Sequence, residues 1–335
     1  MSEFSLIDAI RTRCGHARRD VALGIGDDAA LLEVPAGRQL VACTDSMVAG
    51  VHFLADTDAA DLGWKSLAVN LSDLAAMGAE PAWALLAVTM PEADAGCVEG
   101  FVGRFAGGFA ELAALHDVAL VGGDTTQGPL SITVTALGTA PRGEALTRGG
   151  ARMGDAVFVT GTLGDAAGAL RLLRVPSPGS RVPKPQSDAA LAGLARRMLR
   201  PEPRITAGLA LRGVASACID VSDGLVADLG HVCEASGVGA EIDADALPVS
   251  QSLRSAFDDA ACRGFALAGG DDYELCFTAP EIRAAEIQML SAGLGVPATR
   301  IGRVVAGRGV RVRDRNGNAV ETPHAGWEHF RTGAG

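Results

Sequence analysis

Strand-length apolar runs alternate with longer segments of helical periodicity along most of this chain of 335 residues. This alternation is typical of α/β and α+β proteins, in which helices cover a sheet. Strands are predicted at 39–44, 83–90, 118–123, 130–138, 156–161, 216–221 and 273–278. Helices are predicted at 61–77, 93–115, 165–173, 189–199 and 225–235.

The length corresponds to about two domains of ordinary size. The periodicity stops between residues 141 and 154, where Gly, Arg and Pro gather. We therefore predict one domain over residues 1–140 and a second over residues 151–335. A further interruption at 175–187 carries four prolines and no periodicity, which predicts an exposed connection.

The charge balance restricts the ligands that this chain can bind. Its 29 Lys and Arg stand against 40 Asp and Glu, a formal net charge of −11. Proteins that bind nucleic acid backbones neutralise phosphates with clustered basic residues, so we expect no nucleic acid partner. A phosphorylated small molecule is not excluded, but the chain has only two lysines, Lys65 and Lys184. The positive charge at such a phosphate must then come from another source.

The sequence gives no sign of export or of membrane insertion. The N-terminal residues MSEFSLIDAI lack the basic and apolar regions of a signal peptide. No run of about 18 apolar residues follows, which argues against a transmembrane helix. The seven cysteines form no CxxC pair and no zinc spacing, and we expect them to be reduced thiols. These features predict a cytoplasmic protein with no membrane partner.

Aspartates directly follow several of the apolar runs, in turns rich in Gly, Ser or Thr. They are Asp27, Asp28, Asp45, Asp73, Asp124, Asp220, Asp223, Asp271 and Asp272. Any one of them is explained by a turn or a helix cap. As a set at strand ends, they predict a place where carboxylates gather and repel one another unless cations bind. Oxygen ligands favour Mg²⁺ together with a phosphate, whereas the sequence has no zinc spacing and no EF-hand pattern.

Glycine-rich turns adjoin these aspartates and allow the backbone to approach an anion closely. The pairs Gly122–Gly123 and Gly269–Gly270 are examples. The sequence contains neither the GxxxxGK[ST] motif of a P-loop nor the VAIK, HRD and DFG motifs of protein kinases. A phosphate site in this chain is therefore expected to be of another kind.

Seven ordered motifs resemble those of the thiamine-monophosphate kinase family, within the aminoimidazole ribonucleotide synthetase-like ATP-binding superfamily. They are GIGDDAALL, TDSMVAGVHF, GWKSLAVNLSDLAAMGA, VGGDTTQGPLSITV, ALTRGGARMGD, IDVSDGLVADLG and GGDDYELCF. The resemblance extends from about residue 4 to residue 330 and implies a two-domain fold of α+β and α/β class. Its N-terminal α+β domain would bind ATP and Mg²⁺ and dimerise through its sheet. Its C-terminal domain would be α/β, with ATP between the two.

The resemblance also implies ATP-dependent phosphorylation of thiamine monophosphate to thiamine diphosphate, in a homodimer that uses several Mg²⁺ ions. Direct in-line transfer is expected, because the acceptor phosphate oxygen is already ionised and needs no strong general base. Two alternatives stay open. One is another ATP-dependent enzyme of the superfamily, of the ligase or cyclase type, and the other is a non-catalytic Mg-nucleotide-binding protein.

Carried onto this chain, the family motifs imply a role for each matching residue. The metal ligands would be Asp28, Thr44, Asp45, Asp73, Asp124, Asp220 and Asp223. The residues that contact ATP would be Gly123, Asp124, Arg148 and Ser222, and those that contact thiamine monophosphate would be His52, Asp271 and Trp327. The catalytic residues would be Asp45, Asp73, Asp124 and Arg148.

Two positions depart from the family pattern, since Cys43 stands where Ser or Thr is usual and Asp271 where Glu is usual. Asp27 and Asp272 are expected to be turn neighbours of the working aspartates. Lys65 is expected to be a surface residue whose stem lies along a helix. For three of the assigned residues a purely structural or surface role also stays open: His52, Arg148 and Trp327.

Overall fold

The computed structural model describes residues 3–92, 95–174 and 188–321 of the chain. The chain forms two compact units. The first comprises Met1–Leu74 and Ala79–Ala145, and the second comprises Ala75–Gly78 and Leu146–Gly335. Among the helices of these described ranges, none has the length and apolar character needed to cross a membrane.

The first unit is a four-stranded sheet with three helices and a small hairpin. Its helices are α1 (Glu3–Cys14), α2 (Ala59–Ala76) and α3 (Ala95–Leu115), and its strands are β1 (Val21–Leu23), β2 (Leu31–Leu32), β3 (Arg38–Val48), β4 (Glu80–Met90), β5 (Ala119–Gln127) and β6 (Ser131–Pro141). Strands β1 and β2 form the hairpin. The sheet order is β3-β6-β4-β5, with β4 and β5 parallel and the other pairs antiparallel.

The two faces of this sheet differ in burial because side chains alternate along each strand. In β3, Met47 is buried, whereas Leu40 and Val48 are exposed. Helix α2 covers the face of Met47, since the Cys43 thiol on that face lies 3.3 Å from the Asn70 carbonyl oxygen of α2. The opposite face is covered near Trp83 by the β1–β2 hairpin, through Val21 and Leu32, and is open at side chains such as Leu40 and Leu85 in the described residues.

Helices α2 and α3 pack against each other at two glycines. A Cβ atom on Gly63 would lie 1.9 Å from the Phe105 carbonyl oxygen, and one on Gly108 would lie 1.8 Å from the Ala60 carbonyl oxygen. Such distances are far below van der Waals contact, so the two backbones approach closely only because both residues lack a side chain. This contact seats α2, which carries Asp73, against the sheet.

The second unit is a six-stranded sheet with seven α-helices in the part of the chain that the structure describes. The strands are β7 (Ala156–Thr160), β8 (Ala217–Asp220), β9 (Gly239–Asp243), β10 (Leu275–Ala279), β11 (Ala298–Val305) and β12 (Gly309–Arg313). The helices are α4 (Asp165–Leu173), α5 (Asp188–Leu199), α6 (Ile205–Leu211), α7 (Leu225–Ser236), α8 (Gln251–Ala256), α9 (Asp259–Ala268) and α10 (Ala284–Leu294).

The sheet order of the second unit is β12-β9-β11-β7-β10-β8. Strands β12 and β9 are parallel, and the other four pairs are antiparallel. Its core is built from buried aliphatic side chains of the strands and of α7, such as Val157, Ile219, Leu229 and Ile301. The mixed helix and sheet content confirms the predicted fold class.

Several predicted elements coincide with the observed ones, including the helices at 165–173 and 225–235. The strand predicted at 39–44 is longer, because Asp45–Val48 continue the ladder with β6. The strand predicted at 118–123 likewise extends to Gln127 through its pairing with β4. Strands β9, β11 and β12 had no prediction, since polar or glycine residues interrupt their apolar pattern. The interruption predicted at 175–187 lies outside the described residues.

The α2–α3 contact predicts opposite effects for substitutions at two adjacent glycines. Gly108→Ala should lower the free energy of unfolding by more than about 2 kcal/mol, because the methyl group forces the helices apart. Gly107 lies one residue earlier in α3, is exposed, and has open space at its Cβ position. Gly107→Ala should therefore raise stability by about 0.5–1 kcal/mol through helix propensity. Chemical denaturation of both variants is the test, and equal effects would contradict the close contact.

Candidate functional site

Asn70 joins helix α2 to strand β3 at the first group of predicted site residues. Its side chain is fully buried, and its Nδ2 donates to the Ser66 carbonyl oxygen at 3.1 Å. Its Oδ1 accepts the backbone N–H of Asp45 at 3.1 Å. Because both ends of the amide are used within the fold, the position of Asp45 relative to α2 is set by a buried polar bridge.

Asp45 and Asp73 lie on the same side of the sheet, around the thiol of Cys43. Burial raises the pKa of the Cys43 thiol, and the neighbouring carboxylates of Asp73 and Asp45 raise it further. The thiol therefore stays protonated and donates toward carbonyl oxygens of Asn70 and Ala136. The structure thus brings together two of the predicted metal ligands, and it gives Cys43 a structural role beside them.

Thr44 points to the other face of the sheet, because it is the neighbour of Asp45 in a regular strand. Its hydroxyl donates to the Val134 carbonyl oxygen at 3.1 Å and accepts from the Thr135 hydroxyl at 3.0 Å. The side chains of Thr44 and Asp45 therefore cannot both face one ion from the same side of the sheet.

Asp124 lies at the opposite edge of the sheet from Asp45. Asp124 belongs to β5 and pairs with Ala87 of β4. The order β3-β6-β4-β5 puts three inter-strand spacings between Asp45 and Asp124. This corresponds to about 14 Å at the usual spacing of strands. Gly123 has a φ of 152°, and a Cβ there would lie 1.8 Å from the Leu86 carbonyl oxygen. The close approach of β4 is by itself enough to require glycine at this position.

Asp28 and His52 lie in turns of the first unit. Asp28 is exposed, and its backbone N–H donates to Asp27 Oδ1 at 2.8 Å, so Asp27 stabilises the turn as expected. His52 is half-buried, and its Nδ1 accepts the backbone N–H of Val48 at 3.0 Å. In the neutral imidazole this bond places the proton on Nε2.

In the second unit, Asp228 organises the loop that carries Ser222 and Asp223. Its Oδ2 accepts the backbone N–H groups of Ser222, Asp223 and Gly224 at 3.0–3.1 Å. Burial and the nearby carboxylates of Asp220 and Asp223 raise the pKa of Asp228 to about 7. Asp228 thus fixes the conformation of the loop. The carboxyl groups of Asp220, Asp223 and Asp228 lie close together at the end of β8.

The segment before β10 pairs with this same loop. The backbone N–H of Asp271 donates to the Ser222 carbonyl oxygen, and that of Tyr273 donates to the Val221 carbonyl oxygen, both at 2.8 Å. A Cβ on Gly270 would lie 2.4 Å from the Ser222 carbonyl oxygen. Two motifs that are about 50 residues apart in the sequence therefore place Asp271 beside Ser222.

Glu274 anchors that segment inside the second unit. It is fully buried and accepts Arg204 at 2.6 and 2.7 Å, Arg197 at 2.6 Å and the Thr160 hydroxyl at 2.7 Å. Burial alone would raise the pKa of Glu274, but the hydrogen bonds and charge of Arg204, together with Arg197, hold that pKa below its ordinary value. A buried carboxylate with two guanidinium partners fixes the chain directly after Tyr273.

Two expectations about charged residues were wrong. Asp272 is 3% exposed and accepts the backbone N–H of Gly164 at 2.7 Å, so it is a buried anchor and not a turn neighbour. Burial raises the pKa of Asp272 well above its ordinary value. Lys65 is 4% exposed, because almost the whole circumference of α2 is covered. It is therefore not a surface residue.

Arg148 is exposed on a turn that the side chain of Ser236 secures. The Ser236 hydroxyl donates to the Arg148 carbonyl oxygen and accepts the backbone N–H groups of Gly150 and Ala151, all at 3.1 Å. The backbone that carries the Arg148 side chain is therefore held by hydrogen bonds. Trp327 lies outside the described residues.

The oxygen donors of the predicted metal ligands suit Mg²⁺. Within residues 3–92, 95–174 and 188–321, no three His, Cys, Asp or Glu side chains form a group that could hold a metal ion. The carboxylates occur instead as two crowded groups, Asp45 with Asp73 and Asp220 with Asp223. Each group supplies oxygen ligands and negative charge, which are the features that Mg²⁺ binding requires.

Three organising residues had no prediction: Asn70, Asp228 and Ser236. Each acts through the backbone of another segment, and a sequence shows no such pairing. Asp228 does carry a weak signal, since an acidic residue in the first turn of a helix is a common N-terminal cap. This signal predicts where the helix begins, but it does not predict that Asp228 orders the preceding loop.

Comparisons with known proteins agree with this architecture. Residues 26–140 match the model of the AIR synthase related protein N-terminal domain, and residues 152–315 match that of its C-terminal domain. The thiamine-monophosphate kinase of Salmonella typhimurium is 48% identical over 330 residues, which cover 98% of each chain.

Two solved structures extend the likeness to the fold. The thiamine-monophosphate kinase of Stenotrophomonas maltophilia K279a is 52% identical, with a TM-score of 0.84 over 96% of this chain and 98% of that one. AaThiL complexed with AMPPCP and TMP is 35% identical, with a TM-score of 0.74 over 98% of this chain and 97% of that one. By fold, by its two domain matches and by identity along almost its whole length, this chain belongs to the thiamine-monophosphate kinase family.

Proposed function

We propose that this protein phosphorylates thiamine monophosphate to thiamine diphosphate, with ATP as co-substrate. The observation that carries the proposal is the pairing of the 270–273 segment with the 221–223 loop. It places Asp271, the predicted thiamine phosphate contact, against Ser222, the predicted ATP contact. A family relative has been solved with AMPPCP and TMP, a nucleotide analogue and a second ligand, which supports a site of this kind.

The reaction asks the protein for positioning and charge neutralisation. The acceptor is a phosphate oxygen that is ionised at neutral pH, so proton removal is unnecessary. Direct in-line transfer of the γ-phosphoryl group therefore needs no general base. Asp271 supplies a negative charge suited to the cationic ring of thiamine, and Arg148 supplies a guanidinium suited to the triphosphate.

Mg²⁺ would be held by the carboxylates of two groups, Asp45 with Asp73 and Asp220 with Asp223, with Asp28, Thr44 and Asp124 as further ligands. When bound, it neutralises phosphate charge and polarises the transferring group. Within the chain, Asn70 positions Asp45 and Asp228 positions Asp223 before any ligand arrives. Mg²⁺ held in this way would supply the positive charge that the lysine of a P-loop provides.

We further propose a homodimer formed through the sheet of the first unit. Asp45 and Asp124 lie at opposite edges of that sheet, so an ion that both contact needs one residue from each of two chains. The open face also exposes apolar side chains, with Leu40 at 50% and Leu85 at 37%. A second sheet laid against this face buries them.

The assay that tests the activity measures ADP release with thiamine monophosphate, thiamine and aminoimidazole precursors as separate acceptors. We expect ADP only with thiamine monophosphate, and thiamine diphosphate as the product. ADP release without a new phosphoanhydride would indicate a ligase or cyclase of the superfamily. Stabilisation by Mg²⁺ and ATP with no turnover on any acceptor would indicate a non-catalytic nucleotide-binding protein.

Asp45→Asn and Asp73→Asn should each lower kcat by about 100-fold or more, because each removes charge from a predicted ligand group. Both variants should keep the circular dichroism spectrum and cooperative unfolding of the parent. Asp56→Asn, in an exposed turn of the same unit, is the matched control and should leave kcat unchanged. Full activity in both site variants would remove these residues from the mechanism.

The dimer is tested by introducing a charge on the open face of the sheet. Leu85→Glu should convert the protein to a monomer in sedimentation velocity and abolish activity, because the carboxylate cannot be buried unpaired. Leu115 is 67% exposed at the end of α3, and Leu115→Glu should leave the dimer intact. An active parent protein that sediments as a monomer would contradict the proposed assembly.

A further inference from the structure

We infer that Tyr273 is a positioning residue for thiamine monophosphate, acting through the carboxylate of Asp271; this inference rests on the proposed function. The phenol of Tyr273 donates to Asp271 Oδ1 at 2.8 Å. Tyr273 is only 8% exposed, and it is the sole tyrosine in the sequence. The family motifs assign a contact to Asp271 and none to Tyr273.

The backbone of both residues is held in an uncommon conformation that directs their side chains. Asp271 has a φ of 66° and Tyr273 a φ of 51°, in the left-handed region that non-glycine residues rarely adopt. Hydrogen bonds from their N–H groups to Ser222 and Val221 stabilise this conformation. The two side chains therefore meet because the tertiary structure imposes a geometry that the local sequence does not prefer.

The residue after Tyr273 makes this geometry rigid. Glu274 is fixed by Arg197 and Arg204, and Arg197 Nη2 also lies 3.5 Å from the Asp272 carbonyl oxygen. The phenol consequently cannot follow Asp271 if the carboxylate rotates. It acts as a fixed donor that selects one orientation of the carboxylate.

A fixed carboxylate matters for binding a cation next to the ATP contact. A free aspartate samples several side-chain torsions, and binding then requires one of them to be selected at an entropic cost. The hydrogen bond from Tyr273 already restricts the Asp271 side chain to one torsion in the folded protein, so this entropy is not lost on binding. It should therefore act on the binding of thiamine monophosphate and leave the binding of ATP unaffected.

The first test is Tyr273→Phe, which keeps the ring and removes only the donor. We expect the KM for thiamine monophosphate to rise about tenfold or more, the effect of one hydrogen bond to a charged group. The KM for ATP and kcat should change little. A wild-type KM for thiamine monophosphate, or an equal rise in both KM values, would overturn the inference.

A double-mutant cycle separates positioning from a general loss of structure. In an Asp271→Ala background, Tyr273→Phe should add no further increase in KM, because the phenol has no carboxylate to hold. Asp258→Ala is the control, since Asp258 caps α9 by accepting the Ala261 N–H at 2.8 Å and is exposed. It should lower thermal stability without raising the KM for thiamine monophosphate. Additive effects of the two site variants would contradict coupling.

The sole tyrosine also permits a direct spectroscopic measurement. Protein labelled with 3-fluorotyrosine should give one ¹⁹F resonance, and thiamine monophosphate should shift it in a saturable titration. The Asp271→Ala variant should show a displaced resonance before ligand is added and no saturable shift afterwards. A resonance whose position changes neither with thiamine monophosphate nor with the Asp271→Ala substitution would overturn the inference. Ligand binding without any turnover would instead count against the proposed activity alone.

Discussion

The ion pair of Glu274 with two arginines is the interaction on which the candidate site of the second unit depends. A fully buried carboxylate is costly unless it is paired and hydrogen-bonded, and here Arg197, Arg204 and Thr160 all donate to it. Removing both arginines would leave a buried charge uncompensated. This pairing fixes the start of β10, and from that fixed point the preceding residues reach Ser222 and Val221.

Asp228 lies in the opposite electrostatic environment. Glu274 has cationic partners within the fold, and its pKa is held down. Asp228 is surrounded by other carboxyl groups, and its pKa is raised to about 7. Crowding of this kind is tolerated where a cation relieves it. In a chain with two lysines, the proposed function assigns the positive charge at the triphosphate mainly to such cations and to arginine.

Much of the fold was predictable because its helices and central strands have long, regular apolar patterns, as in α4 and α7. The locations of the aspartates were predictable less well. Asp45 and Asp124 lie inside strands, although both follow apolar runs and suggested strand ends. The sheets are largely antiparallel, so their strand ends do not collect at one edge, and the sheet order separates Asp45 from Asp124.

The sequence by itself determined the family and the mixed helix and sheet class of the fold, because these depend on residue types in order along the chain. The tertiary structure decided which residues meet. It paired Asp271 with Ser222, set the phenol of Tyr273 on Asp271, and buried Lys65 and Asp272 where local pattern indicated the surface. Those outcomes depend on contacts between distant segments and on strand order, and local periodicity carries no information about either.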